Sequence, residues 1–143
     1  MLFRSLWEAL VLVHLAILLY EQGDSDLAAA HARASLALFE TAGNTWGISR
    51  AQRLLGRVAA SRGDRAEARS RLEASLALNR ALGDHHDAAL SLLALGDLVL
   101  GDGGTDAACS LYSEGLELAY RAGNRWLLAL GLERIGGDRK STR

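Results

Sequence analysis

The chain has 143 residues, enough for one domain with a buried core. Its 16 basic side chains stand against 17 acidic ones, a balance that disfavours nonspecific nucleic-acid binding, which rests on neutralising phosphates. It contains no proline, which suits uninterrupted helices, and Cys109 is the only cysteine, which excludes an internal disulfide and gives no sign of secretion.

The first stretch, MLFRSLWEALVLVHLAILLY, is apolar on nearly every face. Its apolar runs are broken by Glu8 and His14 and fall short of the roughly 20 residues that cross a bilayer, and no small-residue cleavage site follows. A first helix is therefore expected, with neither a membrane span nor a signal peptide. A helix apolar all round is buried on more than one side. This one is expected to meet a preceding repeat, a partner, or a second copy of the chain through residues 1–20.

From Asp24 onward the pattern is regular. The second helix is expected over 25–42, with Leu27, Ala28, Ala32, Leu36 and Phe39 inward, and the third over 45–62, with Ile48, Leu54, Leu55 and Val58 inward. The fourth is expected over 65–82, with Ala68, Leu72, Leu76 and Leu78 inward. The fifth follows over about 85–100, with Leu92, Leu95, Leu98 and Val99 inward, and the sixth over 105–122, with Ala108, Leu111, Tyr112, Leu116 and Leu118 inward. A seventh starts at Arg125 and is expected to stop near Ile135, where Gly136-Gly137 cuts it short. Residues 138–143 read as a polar, disordered tail. Between helices, Gly23-Asp24, Gly43-Asn44, Gly63-Asp64, Gly83-Asp84 and Gly123-Asn124 supply a glycine to end one helix and a side-chain oxygen to cap the next. At Gly103-Gly104 the capping oxygen is expected one residue later, from Thr105.

These elements repeat. Shifted by 40 residues, Leu55-Gly56 falls on Leu95-Gly96, Ala68 on Ala28 and Ala108, and Leu76 and Leu78 on Leu36, Leu38, Leu116 and Leu118. Less the turns, each half-period leaves a helix of about 17 residues, roughly 25 Å long. The expected fold is all-α, with about seven helices in antiparallel hairpins, as repeats 5–44, 45–84 and 85–124, a partial repeat 125–137, and the tail. Each repeat leaves an apolar face that only its neighbours cover. Both ends read as cuts through a longer array.

The pattern resembles the tetratricopeptide repeat. Leu55-Gly56, Gly63-Asp64, Ala68 and Leu76 match the family's Leu-Gly pair, turn, small-residue contact and second-helix leucine, and the next unit matches through Leu95-Gly96, Gly103, Ala108, Tyr112 and Leu116. The period is 40 residues, where the family usually has 34, and Arg80 stands where the family usually has proline. The longer helices ending in Leu82-Gly83-Asp84 are similar to an extended subclass of that repeat. The Ala- and Arg-rich wording, with Asn44-Thr45-Trp46-Gly47-Ile48, looks most like large bacterial regulators that join an ATPase, such repeats and a LuxR-type DNA-binding domain.

The resemblance implies a right-handed solenoid whose first helices line a concave face. Arg50, Arg53 and Arg57 are expected there, between Leu10, Val13, Ile17 and Tyr20 on one side and Leu90, Leu93, Asp97 and Leu100 on the other. A basic centre between apolar shoulders suits a protein or peptide ligand with acidic and large apolar residues. The same arginines also read as a solvated face paired with Asp97 or Glu133. The expected function is a cytoplasmic protein-binding module of a larger bacterial signalling or transcriptional regulator; the alternative is a self-associating domain built on the first helix.

Catalytic and metal readings find little. Asp84-His85-His86-Asp87 has ligand residue types, but adjacent side chains on a starting helix diverge and no second cluster completes the set. Gly101 to Thr105 has a phosphate-loop look, yet no strand precedes it and no Gly-Lys-Ser or Gly-Lys-Thr occurs. No nucleophile, base and orienting group assemble from any motif. Trp46 and Trp126 are expected to pack over hairpin ends. No enzyme activity, cofactor, metal or membrane contact is expected.

Overall fold

The computed structural model describes the backbone of residues 2–141 and the side chains of residues 4–136. Seven helices follow one another with no strand among the described residues: α1 (Leu2–Glu21), α2 (Ser25–Ala42), α3 (Thr45–Ser61), α4 (Arg65–Leu82), α5 (His85–Gly101), α6 (Thr105–Arg121) and α7 (Arg125–Ser141). The chain divides into two units, residues 1–78 and 79–143.

The turns work as local chemistry requires. Gly43 sits in the left-handed region at φ 66°, where a side chain would be strained, and lets its own N–H reach the Glu40 carbonyl at 3.1 Å and that of Asn44 reach the Phe39 carbonyl at 2.9 Å. Asn44 Oδ1 then accepts the Gly47 N–H at 2.8 Å and so opens α3. The same side-chain cap forms at Asp24, Asp64, Asp84 and Asn124, to the N–H groups of Leu27, Glu67, Asp87 and Leu127.

Two expectations about helix ends are corrected. The N-cap of α6 is Gly104, which has no side-chain cap bond; Thr105 is already the first helical residue, so its hydroxyl is not the cap. And α7 continues past Ile135 to Ser141. A glycine inside a helix costs about 1 kcal/mol relative to alanine but does not stop it, and Gly136 is not in the positive-φ conformation that ends the other helices. Part of the expected tail, residues 142 and 143, lies outside the described residues, as do the side chains from 137 onward.

In the first unit α1 and α2 form an antiparallel hairpin, and α3 and α4 form a second. The pairing is legible in two bonds of the same register: Ser35 Oγ donates to the Ala9 carbonyl and Ser75 Oγ to the Ser49 carbonyl, each at 2.8 Å and each buried. Small residues let the helices approach. A Cβ on Gly56 would lie 2.8 Å from Leu72 Cγ, and one on Gly47 would lie 2.2 Å from the Phe39 ring. Apolar clusters in the unit include one of Ala9, Val13, Phe39 and Ala51 and another of Ala16, Ala29, Ala32, Leu54, Leu55 and Val58. Phe39 is fully buried, a contribution of about 1.5–3 kcal/mol. Leu27, expected inward, is largely exposed; the inner stripe of α2 runs instead through Ala28, Ala29, Ala32, Ser35 and Phe39.

In the second unit α5 and α6 form a hairpin against which α7 packs. Ala89, Leu93, Ala108, Tyr112, Ala119 and Leu127 make one apolar cluster of its core. The Tyr112 ring lies over Gly96, where a Cβ would come within 2.4 Å of it. Leu-Gly at 55–56 and at 95–96 thus does one job in both units, giving the second helix of the hairpin a flat place to lie.

Candidate functional site

Helix α3 places Arg50, Arg53 and Arg57 on one side by their spacing of three and four. Their environments differ. Arg50 is half-buried, with its guanidinium 4.6 Å from the centre of the Trp46 ring, one turn earlier on α3. Arg57 is half-buried too and lies 4.7 Å from the ring of Tyr20 on α1. At these distances each cation is attracted by the face of the ring, by about 0.5–1 kcal/mol where water still reaches it. Arg53, between them, retains only 7% of its exposure, so it is part of the packing and not of an open surface.

The apolar shoulders divide the same way. Ile17 and Tyr20 are half-buried and pack beside the cluster of Leu54, Leu55 and Val58, leaving part of each side chain at the surface next to Arg57. Val13 is fully buried between α1, α2 and α3 and offers nothing to a ligand. In the second unit Leu93 is a core residue, while Leu90 and Leu100 are half-buried at the margin of that core. Helical spacing says which residues share a face; which of them the neighbouring helices cover depends on a rotation of a few tens of degrees.

Asp97 is committed within its own unit. It accepts a hydrogen bond from Tyr112 Oη at 2.7 Å and from Arg134 Nε at 2.9 Å, so one carboxylate ties α5, α6 and α7 together. Burial works against the charge on Arg134, but the hydrogen bond and charge of Asp97 more than offset it and hold the guanidinium above its usual range. The partner of Asp97 is thus Arg134, which sequence reading did not single out. Trp46 is half-buried and carries the stacked Arg50 at i, i+4, whereas Trp126 is largely exposed rather than packed on a hairpin end.

The remaining motifs have structural roles. Asp84 caps α5, and His86 Nδ1 lies 2.9 Å from Asn124 Nδ2. Gly103 is the left-handed residue of an inter-helix turn. A cleft of about 190 Å³ in the first unit, lined by Arg33, Leu55, Val58 and Arg62 among others, is smaller than the roughly 300–1,000 Å³ of small-molecule pockets. No described helix is long and apolar enough to cross a membrane.

Antiparallel hairpins recurring every 40 residues, with glycine at the close helix approaches and at the turns, define a helical-repeat protein. A profile of the tetratricopeptide repeat matches residues 47–121, and the chain belongs to that family, whose repeats serve protein–protein interaction and not catalysis. None of the curated proteins matches the chain.

Proposed function

We propose that the chain is a protein-binding module whose first unit holds an acidic, partly apolar peptide segment along α1 and α3. The observation that carries this reading is the pair of guanidinium groups, Arg50 and Arg57, each laid on an aromatic ring and each partly exposed on the same side of α3. Stacking limits the rotamers of a long side chain, so less freedom is lost when it takes a carboxylate in a two-pronged bond. Ile17 and Tyr20 give an adjoining apolar strip for a leucine-sized side chain. Arg53 and Val13 are enclosed and are not part of this surface. The 40-residue period and the wording from Asn44 to Ile48 support a place in the repeat segment of a larger, cytoplasmic bacterial signalling regulator.

The test is fluorescence anisotropy with labelled peptides in which glutamate and leucine alternate, beside matched peptides carrying lysine for glutamate. Binding is expected only for the acidic set, and the double reversal Arg50→Glu with Arg57→Glu is expected to weaken it by about tenfold or more. Equal binding of acidic and basic peptides, or a double variant that binds like the parent while circular dichroism shows it folded, would remove the arginine surface from the function.

A further inference from the structure

Helix α1 has two apolar sides, and its own unit covers only one. Ala9, Val13 and Ala16 are buried, but Trp7, Val11, Leu15 and Leu18 remain 57%, 61%, 39% and 56% exposed. The exposed residues of α1, at positions 4, 7, 8, 11, 14, 15, 18 and 21, follow the alternation of three and four that makes a helix–helix seam. A contiguous apolar stripe of this kind marks an interaction surface.

The order of residues along the stripe says what covers it. Arg4 stands at one end and Glu21 at the other, with Trp7 and Leu18 one step inside them and Val11 and His14 at the middle. Turned end for end, the stripe offers an acid where it had a base, an apolar side chain against Trp7 and Leu18, and the edge of a histidine ring against Val11 at the middle. We propose that a second copy of this chain lies antiparallel across α1 and makes a two-fold symmetric dimer. Arg4 then meets Glu21 of the partner subunit, and Trp7 meets Leu18 of the partner subunit. Val11 meets His14 of the partner subunit, and the two-fold axis repeats every layer. A parallel pair is disfavoured, because it sets arginine on arginine and glutamate on glutamate. Both end charges are available: the Arg4 side chain is 88% exposed and bonded only loosely to Glu8, at 3.6 Å along the same helix, and Glu21 is exposed. The pairing is isologous, with one patch serving both subunits, and closes without leaving a free end. It uses neither Arg50 nor Arg57, so it stands apart from the peptide surface.

One helical stripe is smaller than the roughly 1,600 Å² buried in a standard stable complex, so a weak dimer is expected, half dissociated at about 10 µM. Sedimentation equilibrium of the whole chain from about 1 to 500 µM measures it. Arg4→Glu and Glu21→Arg each turn two attractions into repulsions and are expected to weaken the dimer by about five- to tenfold, and the two changes together in one chain are expected to restore it. Val11→Glu, at an exposed position, is expected to give a folded monomer with unaltered binding of the acidic peptides, which separates failure of the dimer from failure of the groove. A chain that stays monomeric at the highest concentration overturns the proposal and assigns the stripe to another partner. So does a dimer that survives Val11→Glu, or a charge-swapped double variant no tighter than the single ones.

Discussion

The substitution Gly115→Ser offers a close test of the repeat register. In the first two hairpins a buried serine of the second helix donates to a carbonyl of the first, Ser35 to Ala9 and Ser75 to Ser49, both at 2.8 Å. The third position in the series is Gly115, and the corresponding carbonyl is that of Ala89. There is room for the side chain: a Cβ on Gly115 would lie 3.4 Å from that carbonyl oxygen and 3.5 Å from both Leu92 Cβ and Leu93 Cδ2, all ordinary contacts. Serine in place of glycine inside a helix gains about 0.5 kcal/mol, and the added hydrogen bond contributes about 1 kcal/mol. The sum, about 1.5 kcal/mol, corresponds to a rise in melting temperature of about 5 °C. The comparison variant is Gly115→Ala, which gains about 1 kcal/mol of helix propensity and no bond. Urea titration followed by circular dichroism should therefore rank serine first, alanine second and glycine last. Serine below alanine by their difference in propensity would mean that the hydroxyl finds no acceptor and that the third hairpin does not share the register of the others.

Gly96→Ala should do the opposite in the same unit. Its Cβ would press within 2.4 Å of the Tyr112 ring, and a net loss of about 2 kcal/mol is expected from overpacking and a displaced Tyr112–Asp97 bond. Tyr112→Leu in the same chain should relieve much of that loss, and a full loss in the double variant would sink the explanation. The caps give a paired comparison by the same titration. Asn44→Ala is expected to cost about 1 kcal/mol, whereas Thr105→Ala should change stability by less than about 0.5 kcal/mol, because its hydroxyl caps nothing; equal costs would contradict the assignment of Gly104 as the cap.

Helix boundaries were legible because they depend on chemistry within a few residues: a glycine that alone tolerates the left-handed turn, followed by an oxygen that takes a free N–H. Where that chemistry was incomplete the reading slipped: at Gly103-Gly104 no side-chain oxygen directly follows the left-handed glycine, and at Gly136-Gly137 an aspartate follows in the sequence, but Gly136 is not left-handed and the helix runs on to Ser141. The arginine surface was legible only as a face. Spacing put Arg50, Arg53 and Arg57 together, but whether a guanidinium emerges or is enclosed is decided by side chains distant in sequence, and Arg53 is enclosed. Likewise Val13 and Leu93 share helical faces with exposed neighbours, yet Phe39 and Ala51 close over one and Tyr112 and Leu127 belong to the core around the other. The serines at 35 and 75 carried their own signal, recurrence at the repeat period, but a hydroxyl among alanines is a faint mark until its acceptor is known.

The evenly spaced turns at 23, 43, 63, 83, 103 and 123 also bear on how such a chain can change over generations. Each added residue in a helix rotates everything beyond it by about 100°, so a lone insertion would swing an entire inner stripe toward water while leaving composition almost untouched. Duplication or loss of a complete hairpin disturbs no phase at all. Growth by whole modules is thus mechanically easier than lengthening by single letters, and the ruler that enforces this is six glycines.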